Sequence, residues 1–279
     1  MYFSPLRLTY FNEVDPDYVH IGKLAQLCPN IAHLNLSVPI TINPSGLNVD
    51  YTANGPCVQI LNSLAKSKLH LKTVELHLFP YCEAFEAFLI SKGPGLQELM
   101  FKANNNLNSK NVLFIGQHCP ILQKLHIKDL GPEDDPSMAL KVSNAAYLSS
   151  LNMFSELHTV HVSGRGWNSK VILPIVLLSA FKVTKMSLMN MSSRMCMDAA
   201  WHRIFAVNGL VRLQSLSLYS GCFVSIAMVR KMAFDCPKLT FFSFIQSENI
   251  ELAEVERLKL DVAKKNLNLK VCCLEMFDV

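Results

Sequence analysis

Charged residues are scarce in this chain. Asp, Glu, Lys and Arg together make up 17% of its 279 residues, whereas 50% of the residues are hydrophobic. The formal net charge is only +4, which is too small to indicate binding to nucleic acid. A chain with so little charge and so much apolar surface fits a fold in which every element buries one face.

The sequence also lacks a long hydrophobic run and a secretory signal. Its longest strongly apolar stretch covers residues 171–181, which is shorter than the about 20 residues that a membrane-spanning helix requires. We therefore expect no contact with a membrane. Nine cysteines, an odd number, without a signal peptide are typical of a reducing compartment. We expect a cytoplasmic protein, with the nucleus as the alternative.

Catalytic and metal-binding patterns are missing as well. No Ser, His and carboxylate stand in a recognisable nucleophile motif. Neither His118-Cys119 nor Cys272-Cys273 is spaced from a second pair in the way that zinc ligands are. The acidic run Glu133-Asp134-Asp135 lacks the spacing of a calcium loop. These absences predict a protein that is not an enzyme and that binds no metal or other cofactor.

What the sequence does contain is a repeat. The stretch Cys119–Ile127 reads Cys-Pro-x-Leu-x-x-Leu-x-Ile, and the same line of apolar positions returns at Cys28–Leu36 and Cys236–Phe244. Without the Cys-Pro, the apolar frame recurs in copies that end at residues 76, 101, 162, 188 and 218, and weaker copies end at residues 11 and 274. The commonest spacing is 25 or 26 residues, within the range of about 20–29 expected of leucine-rich repeats.

The frame predicts one β-strand per repeat. Its last two apolar residues are two positions apart, so in a strand both side chains point to the same side of the sheet. The residue between them points away. Such a strand buries only one face, so it needs a helical layer behind it and another strand beside it.

The segments between the frames predict helices. Ser109 is the expected N-cap of one of them and Gly93 the expected terminator of another. Residues 37–56 are rich in Pro, Asn and Gly and predict a loop insertion. The helices are expected at about residues 16–27, 57–65, 83–90, 109–118, 136–153, 169–180, 198–207, 225–234 and 251–265.

The Cys-Pro-x-Leu-x-x-Leu-x-Leu line, repeated about every 26 residues, resembles the cysteine-containing leucine-rich repeats of F-box proteins. The resemblance runs from residue 6 to residue 274. It implies an α/β solenoid of horseshoe shape, with parallel strands on the concave face and helices on the convex face. We predict a single domain over residues 1–279, with nine or ten repeats and the insertion at 37–56. The resemblance also implies a surface that holds substrates for ubiquitylation, while a separate F-box segment binds the Skp-type adaptor of a cullin ligase.

The F-box itself is not found. No helical segment long enough for one precedes the first repeat, and several repeats lack the Cys or Asn that usually follows the strand. Solenoids are closed by polar capping units, and neither end of the sequence resembles one, so we expect further chain before Met1. A Skp-type adaptor is expected as a partner only if that chain carries an F-box. Two functions stay open: substrate recognition in an F-box type ubiquitin ligase, and an adaptor or inhibitor scaffold independent of ubiquitin.

Residues that point away from the core on successive strands would lie side by side, about 4.8 Å apart. We predict that some of them bind a protein partner. The predicted binding residues are Lys102, Lys124, His126, Lys128, His161, Lys185, Tyr219 and Phe241. The Lys and His residues form a basic centre, across which an acidic segment of the partner would lie, and an apolar side chain would dock near Phe241. The alternative is that these lysines only keep a solvated face soluble.

Overall fold

The computed structural model describes residues 10–14, 18–37, 42–43, 46–47, 55–130, 153–164, 169–190, 195–196, 198–207, 210–219, 222–245 and 251–274. Within them, a single sheet of ten strands follows the order of the chain, and each neighbouring pair is parallel. Its strands are β1 (Tyr10–Val14), β2 (His33–Ser37), β3 (Thr73–Phe79), β4 (Glu98–Leu107), β5 (Lys124–Leu130), β6 (Thr159–Gly164), β7 (Lys185–Asn190), β8 (Ser215–Leu218), β9 (Phe241–Ile245) and β10 (Lys270–Leu274).

A helix lies in each described connection between consecutive strands, as parallel pairing requires. The helices in the described part of the chain are α1 (Tyr18–Leu27), α2 (Pro56–Lys66), α3 (Glu83–Lys92), α4 (Ser109–His118), α5 (Ser169–Leu177), α6 (Asp198–Val207), α7 (Ile226–Asp235) and α8 (Leu252–Lys264). The helix expected at 136–153 lies outside the described residues except for Met153, which is in a turn. Most of the insertion at 37–56 also lies outside them, but Ile42–Asn43 and Gly46–Leu47 form a small antiparallel pair where we expected only loop.

The predicted frame is the core of the sheet. Its two strand positions are buried from β2 to β9, and the register aligns the last of them in one row across these strands. The row consists of Leu36, Leu76, Phe101, Ile127, Val162, Leu188, Leu218 and Phe244. The helices bury their apolar residues in the same cluster. The architecture is therefore a parallel α/β repeat array consistent with a leucine-rich-repeat solenoid, in which each unit packs against its neighbours.

The same pair of backbone hydrogen bonds occurs at the start of each strand from β3 to β9. The carbonyl oxygen of Ala32, just before β2, accepts hydrogen bonds from the N–H groups of both Lys72 (2.7 Å) and Thr73 (3.0 Å). The same paired bond recurs at the carbonyls of Lys72, Gln97, Gln123, His158, Thr184 and Gln214. Because each unit ties the start of the next strand in the same way, the register is passed from repeat to repeat.

The Cys-Pro pairs end helices, as their sequence predicts. Cys28, Cys119 and Cys236 are buried, and the N–H of Cys119 still donates to the carbonyl of Ile115 (3.0 Å). The proline that follows disfavours helical backbone at the cysteine before it. Two repeats without Cys-Pro turn differently, because Phe154 and Leu210 occupy the cysteine's place with positive φ angles of 57° and 47°.

Two details of how helices begin and end differ from the prediction. The N-cap of α4 is Asn108 and not Ser109, since the Asn108 side chain accepts from the N–H groups of Lys110 and Asn111. Gly93 follows α3, but its φ is −52°, so it does not end the helix through left-handed backbone. A Cβ at Gly93 would lie 2.4 Å from the carbonyl oxygen of His118. Glycine is needed there because the next repeat approaches so closely.

The first and last frames were placed wrongly in the sequence. In β1, Phe11 aligns with Leu34 and not with Leu36, so the strand lies two residues further along than predicted. In β10 the error is one residue, because Val271 aligns with Phe242 and Cys273 with Phe244. A slip of one residue turns every side chain to the opposite face. Cys272 therefore takes a position on the side of the sheet that faces away from the helices.

Candidate protein-binding face

The strand residues that alternate with the core form the second face of the sheet, which we call the open face. The register arranges them in three rows that run across the strands. The middle row contains Asn35, Glu75, Met100, His126, His161, Ser187, Ser217, Ser243 and Cys272. The first row contains His33, Thr73, Glu98, Lys124, Thr159, Lys185, Ser215, Phe241 and Lys270. The third row contains Ser37, His77, Lys102 and Lys128.

The structure brings the predicted basic residues together. Lys102 and Lys128 are neighbours in the third row, and His126 and His161 are neighbours in the middle row. In the first row, Thr159 separates Lys124 from Lys185. These residues occupy the four adjacent strands β4 to β7.

The two predicted aromatic residues lie apart from that centre. Phe241 is in the first row on β9, two strands from Lys185, and is half-buried. Tyr219 follows β8, and its N–H donates to the carbonyl of Leu188 (2.8 Å). At about 4.8 Å between strands, one partner has to span both regions to contact the aromatic and basic residues at once.

The centre also contains carboxylates, which the prediction from sequence left out of account. Lys124 Nζ lies 2.6 Å from Glu98 Oε1, its neighbour in the first row. Glu75 accepts a hydrogen bond from Asn35 Nδ2 (2.9 Å), and its carboxylate is 3.8 Å from His77 Nε2. The Lys124–Glu98 and Asn35–Glu75 contacts join adjacent strands, so only the register of the sheet reveals them. The face is therefore a mixed charged surface in which part of the positive charge is already paired.

The histidines at the middle of the face lie side by side. The ring centroids of His126 and His161 are 5.5 Å apart, and the rings are tilted by 43°. His161 Nδ1 lies 3.0 Å from Ser187 Oγ on the next strand. Burial, followed by the charges of His126 and Lys128, lowers the pKa of His161 to about 4. Burial and Lys128 also lower the pKa of His126. Both rings are therefore neutral at pH 7.

A shallow depression lies beside the pair. Its volume is about 160 Å³. It is lined by Thr73, Glu75, Glu98, Leu99, Met100, Lys124 and His126. The depression has room for part of one side chain, so this face suits surface contacts with a macromolecule better than enclosure of a small molecule.

Toward β9 the middle row changes from charged residues to serines. Ser217 and Ser243 are 7% and 3% exposed, although the frame places both on the open face. Ser163 on β6 is likewise buried, with 7% exposure. Because the side chains at these positions are short, Phe241 and Lys185 of the first row are the larger side chains on this part of the face.

The Ser187–His161 contact is the kind of pair that activates a nucleophile in hydrolases. Two features weaken that interpretation. The strand N–H groups nearby are engaged in the parallel sheet, which leaves them unable to stabilise an oxyanion. The lowered pKa of His161 also makes its imidazole a weak base.

Two classes of feature are absent from the described residues. No helix there is both long enough and apolar enough to cross a membrane. No group of three or more His, Cys, Asp or Glu side chains within those ranges is arranged to hold a metal ion. Seven of the described cysteines carry free thiols: Cys28, Cys57, Cys82, Cys119, Cys236, Cys272 and Cys273.

Comparison with known proteins gives little further information. No protein-family model matches the chain, and no curated protein matches it. Among solved structures, the chain is similar to a chain of the yeast complex of Rad7 and Elc1. The TM-score is 0.41 and the sequence identity 15%, over 92% of this chain and 74% of that chain. A likeness of this degree assigns neither a family nor a function.

Proposed function

We propose that this protein is a protein-recognition scaffold that binds its partner on the open face of the sheet. The observation that carries the proposal is the register. It aligns charged, imidazole, hydroxyl and aromatic side chains in continuous rows over the strands from β2 to β10. Recognition of a protein surface needs such an extended, chemically varied face, and parallel repeat solenoids supply it.

Within this proposal, the basic centre takes an acidic segment of the partner, and the half-buried Phe241 takes an apolar side chain. Lys128 and Lys102 are neighbours in the third row, so an acidic segment across them would bring opposite charges together. An aromatic side chain at the edge of such a contact supplies apolar area with little loss of conformational entropy. The protein would act without a cofactor and in the cytoplasm.

The finer proposal is that the scaffold recognises substrates for an F-box type ubiquitin ligase. It is supported by the Cys-Pro line at three repeats, where each cysteine is buried at a helix end. The alternative is an adaptor or inhibitor scaffold that works without ubiquitin. Co-purification with a Skp-type adaptor separates them, since only a ligase subunit carrying an F-box retains the adaptor.

Site-directed photo-crosslinking in cells tests the location of the binding face. A photoreactive phenylalanine analogue is placed at Phe241 on the open face or, as the control, at Ile90 on α3, which is 57% exposed. We expect a discrete partner adduct from position 241 and none from position 90. Adducts only from position 90 would show that the helical side binds the partner.

A charge-reversal series then tests the basic centre. The test variant is Lys102→Glu/Lys124→Glu/Lys128→Glu. The control variant, Lys23→Glu/Lys238→Glu/Lys264→Glu, changes the net charge by the same amount at exposed sites on α1, in the turn before β9 and on α8, respectively. We expect the partner identified by crosslinking to be lost only from the open-face variant. If both folded variants retain it equally, the basic centre is not the binding site.

A further inference from the structure

The His126–His161 pair has a property that the recognition proposal does not use. The two imidazoles face each other across neighbouring strands at a centroid distance of 5.5 Å. Two protonated rings this close repel each other, so the pair does not take up two protons readily on its own. Contact between His161 Nδ1 and Ser187 Oγ (3.0 Å) holds one ring in place.

The two carboxylates near the histidine pair already have partners within the chain. Its charged and titratable neighbours are Glu75 and His77 on β3, Glu98 and Lys102 on β4, Lys124 and Lys128 on β5, and Lys185 on β7. Glu98 is paired with Lys124 at 2.6 Å, and Glu75 is hydrogen-bonded to Asn35 at 2.9 Å. Lys128 acts on both imidazoles and disfavours their protonation. Glu75 and Glu98 favour protonation of His126, but burial, Lys128 and Lys124 outweigh them. A further negative charge from outside the chain would shift this balance toward protonation.

We propose, on the basis of the recognition role set out above, that the His126–His161 pair is the binding site of a carboxylate from the partner. The pair takes up a proton as this carboxylate binds. The carboxylate would sit over the imidazole N–H groups with Lys128 beside it. A charged hydrogen bond from a protonated imidazole to a carboxylate is stronger than one from a neutral ring. The bound anion also offsets the repulsion between the two rings, so one proton enters with the ligand.

The sign of the pH dependence follows from linkage. The pKa of His161 is about 4 in the free protein, and a carboxylate within hydrogen-bonding distance raises an imidazole pKa by about 1–3 units. The complex therefore holds more protons than the free protein at mildly acidic pH. Binding must then strengthen as the pH falls, by about tenfold between about pH 7.5 and about pH 5.5 if the bound carboxylate raises the pKa of one ring to about 6.5. Glutamate side chains, with a pKa of about 4.3, remain mostly ionised over this range.

The probe for this proposal is a fluorescein-labelled hexaglutamate peptide, titrated with the full chain and followed by anisotropy at low salt. The variant His126→Gln/His161→Gln removes the protonatable pair and keeps polar side chains. The matched control is His70→Gln/His202→Gln, which removes two exposed imidazoles, one just before β3 and one on α6. We expect the tenfold strengthening at acidic pH in the wild-type protein and the control, and a flat profile in His126→Gln/His161→Gln.

Calorimetry of the wild-type protein in two buffers with different ionisation enthalpies gives a second measurement that does not depend on a variant folding. We expect uptake of about one proton per peptide bound at mildly acidic pH. Binding without proton uptake, or a pH slope that survives in His126→Gln/His161→Gln, would overturn the proposal. The same holds if the wild-type protein does not bind hexaglutamate, or if inorganic phosphate at equal charge competes as well as the peptide does.

These outcomes are separable from failure of the recognition proposal. The crosslink at position 241 does not depend on protonation of the histidines. An adduct there together with a flat pH profile would support the open face as the binding face and rule out only the carboxylate site at the histidine pair.

Discussion

At the scale of single residues, Gly93 shows how closely neighbouring repeats approach. A Cβ at this position would lie 2.4 Å from the carbonyl oxygen of His118 and 3.0 Å from Cys119 Sγ. Because a backbone carbonyl held at the end of a helix has little room to move, we expect Gly93→Ala to lower the free energy of unfolding by about 2–3 kcal/mol. Urea denaturation measures the loss.

Gly95 supplies the matched control for that substitution. It belongs to the same short 3-10 turn, Gly93–Gly95, but the nearest atom to a Cβ there is the Leu71 carbonyl oxygen at 3.6 Å. Gly95→Ala should change the stability by no more than about 0.5 kcal/mol. Equal losses in the two variants would show that backbone freedom, and not close approach, is what both positions require.

His161 predicts a pH dependence of stability. Its pKa is about 4 in the folded protein and about 6.5 when unfolded, so the unfolded chain binds the extra proton first as the pH falls. The contribution of His161 to stability is therefore complete above about pH 6.5 and is lost as the pH falls toward about 4. Since the side chain is partly exposed, we expect a contribution on the order of 1–2 kcal/mol.

Thermal or urea unfolding of His161→Gln across this pH window measures the contribution. The variant should lose less stability on acidification than the wild-type protein does. A variant whose stability falls as steeply as that of the wild-type protein would show that His161 does not titrate below its ordinary range. His202→Gln, which removes an exposed imidazole on α6, serves as the control.

At the scale of elements, the end of α8 is a complete Schellman motif. Asn266 has φ of 51°, its N–H donates to the Ala263 carbonyl (3.0 Å), and the N–H of Leu267 donates to the Val262 carbonyl (3.2 Å). Left-handed backbone costs most residues about 1–2 kcal/mol, whereas glycine adopts it freely and asparagine tolerates it. We expect Asn266→Ala to lower the stability by about 1 kcal/mol and Asn266→Gly to leave it unchanged or slightly raised.

Asn266 is exposed, so neither substitution alters core packing. The comparison of Asn266→Ala with Asn266→Gly by chemical denaturation thus isolates the backbone conformation. If the two variants are equally stable, the positive φ angle does not govern how this helix ends.

At the scale of the whole molecule, a solenoid should lose structure locally. Each strand pairs only with its immediate neighbours, so stability is approximately a sum of local terms. Phe244→Ala empties a fully buried site in β9 and should cost about 3–5 kcal/mol there. Hydrogen exchange should accelerate in β8 to β10 while β2 and β3 keep their protection.

Leu76→Ala provides the complementary variant, since Leu76 on β3 is equally buried in the same core row. Exchange should then accelerate in β2 to β4 and remain slow in β8 to β10. If each substitution accelerated exchange equally in all strands, the sheet would behave as one cooperative unit and not as an array of repeats.

The sequence by itself determined the repeat, its period, the strand faces from β2 to β9 and most of the helices. These features are local, because apolar residues two apart define a strand face and Cys-Pro ends a helix whatever lies beyond it. The last frame was placed wrongly because a local pattern cannot choose between two alternating sets that are both apolar. Near Leu269–Leu274, apolar residues occupy both alternating sets, and only pairing with β9 selected Val271 and Cys273 for the core.

The tertiary structure alone decided the chemistry of the open face. Residues 26 or more positions apart became neighbours there, which paired Lys124 with Glu98 and placed His126 against His161. The same long-range contact explains Gly93, whose constraint comes from the His118 carbonyl of the next repeat. A sequence states which side chains point outward, but charges and ring pairs depend on distances between strands. Those distances exist only once the register has formed.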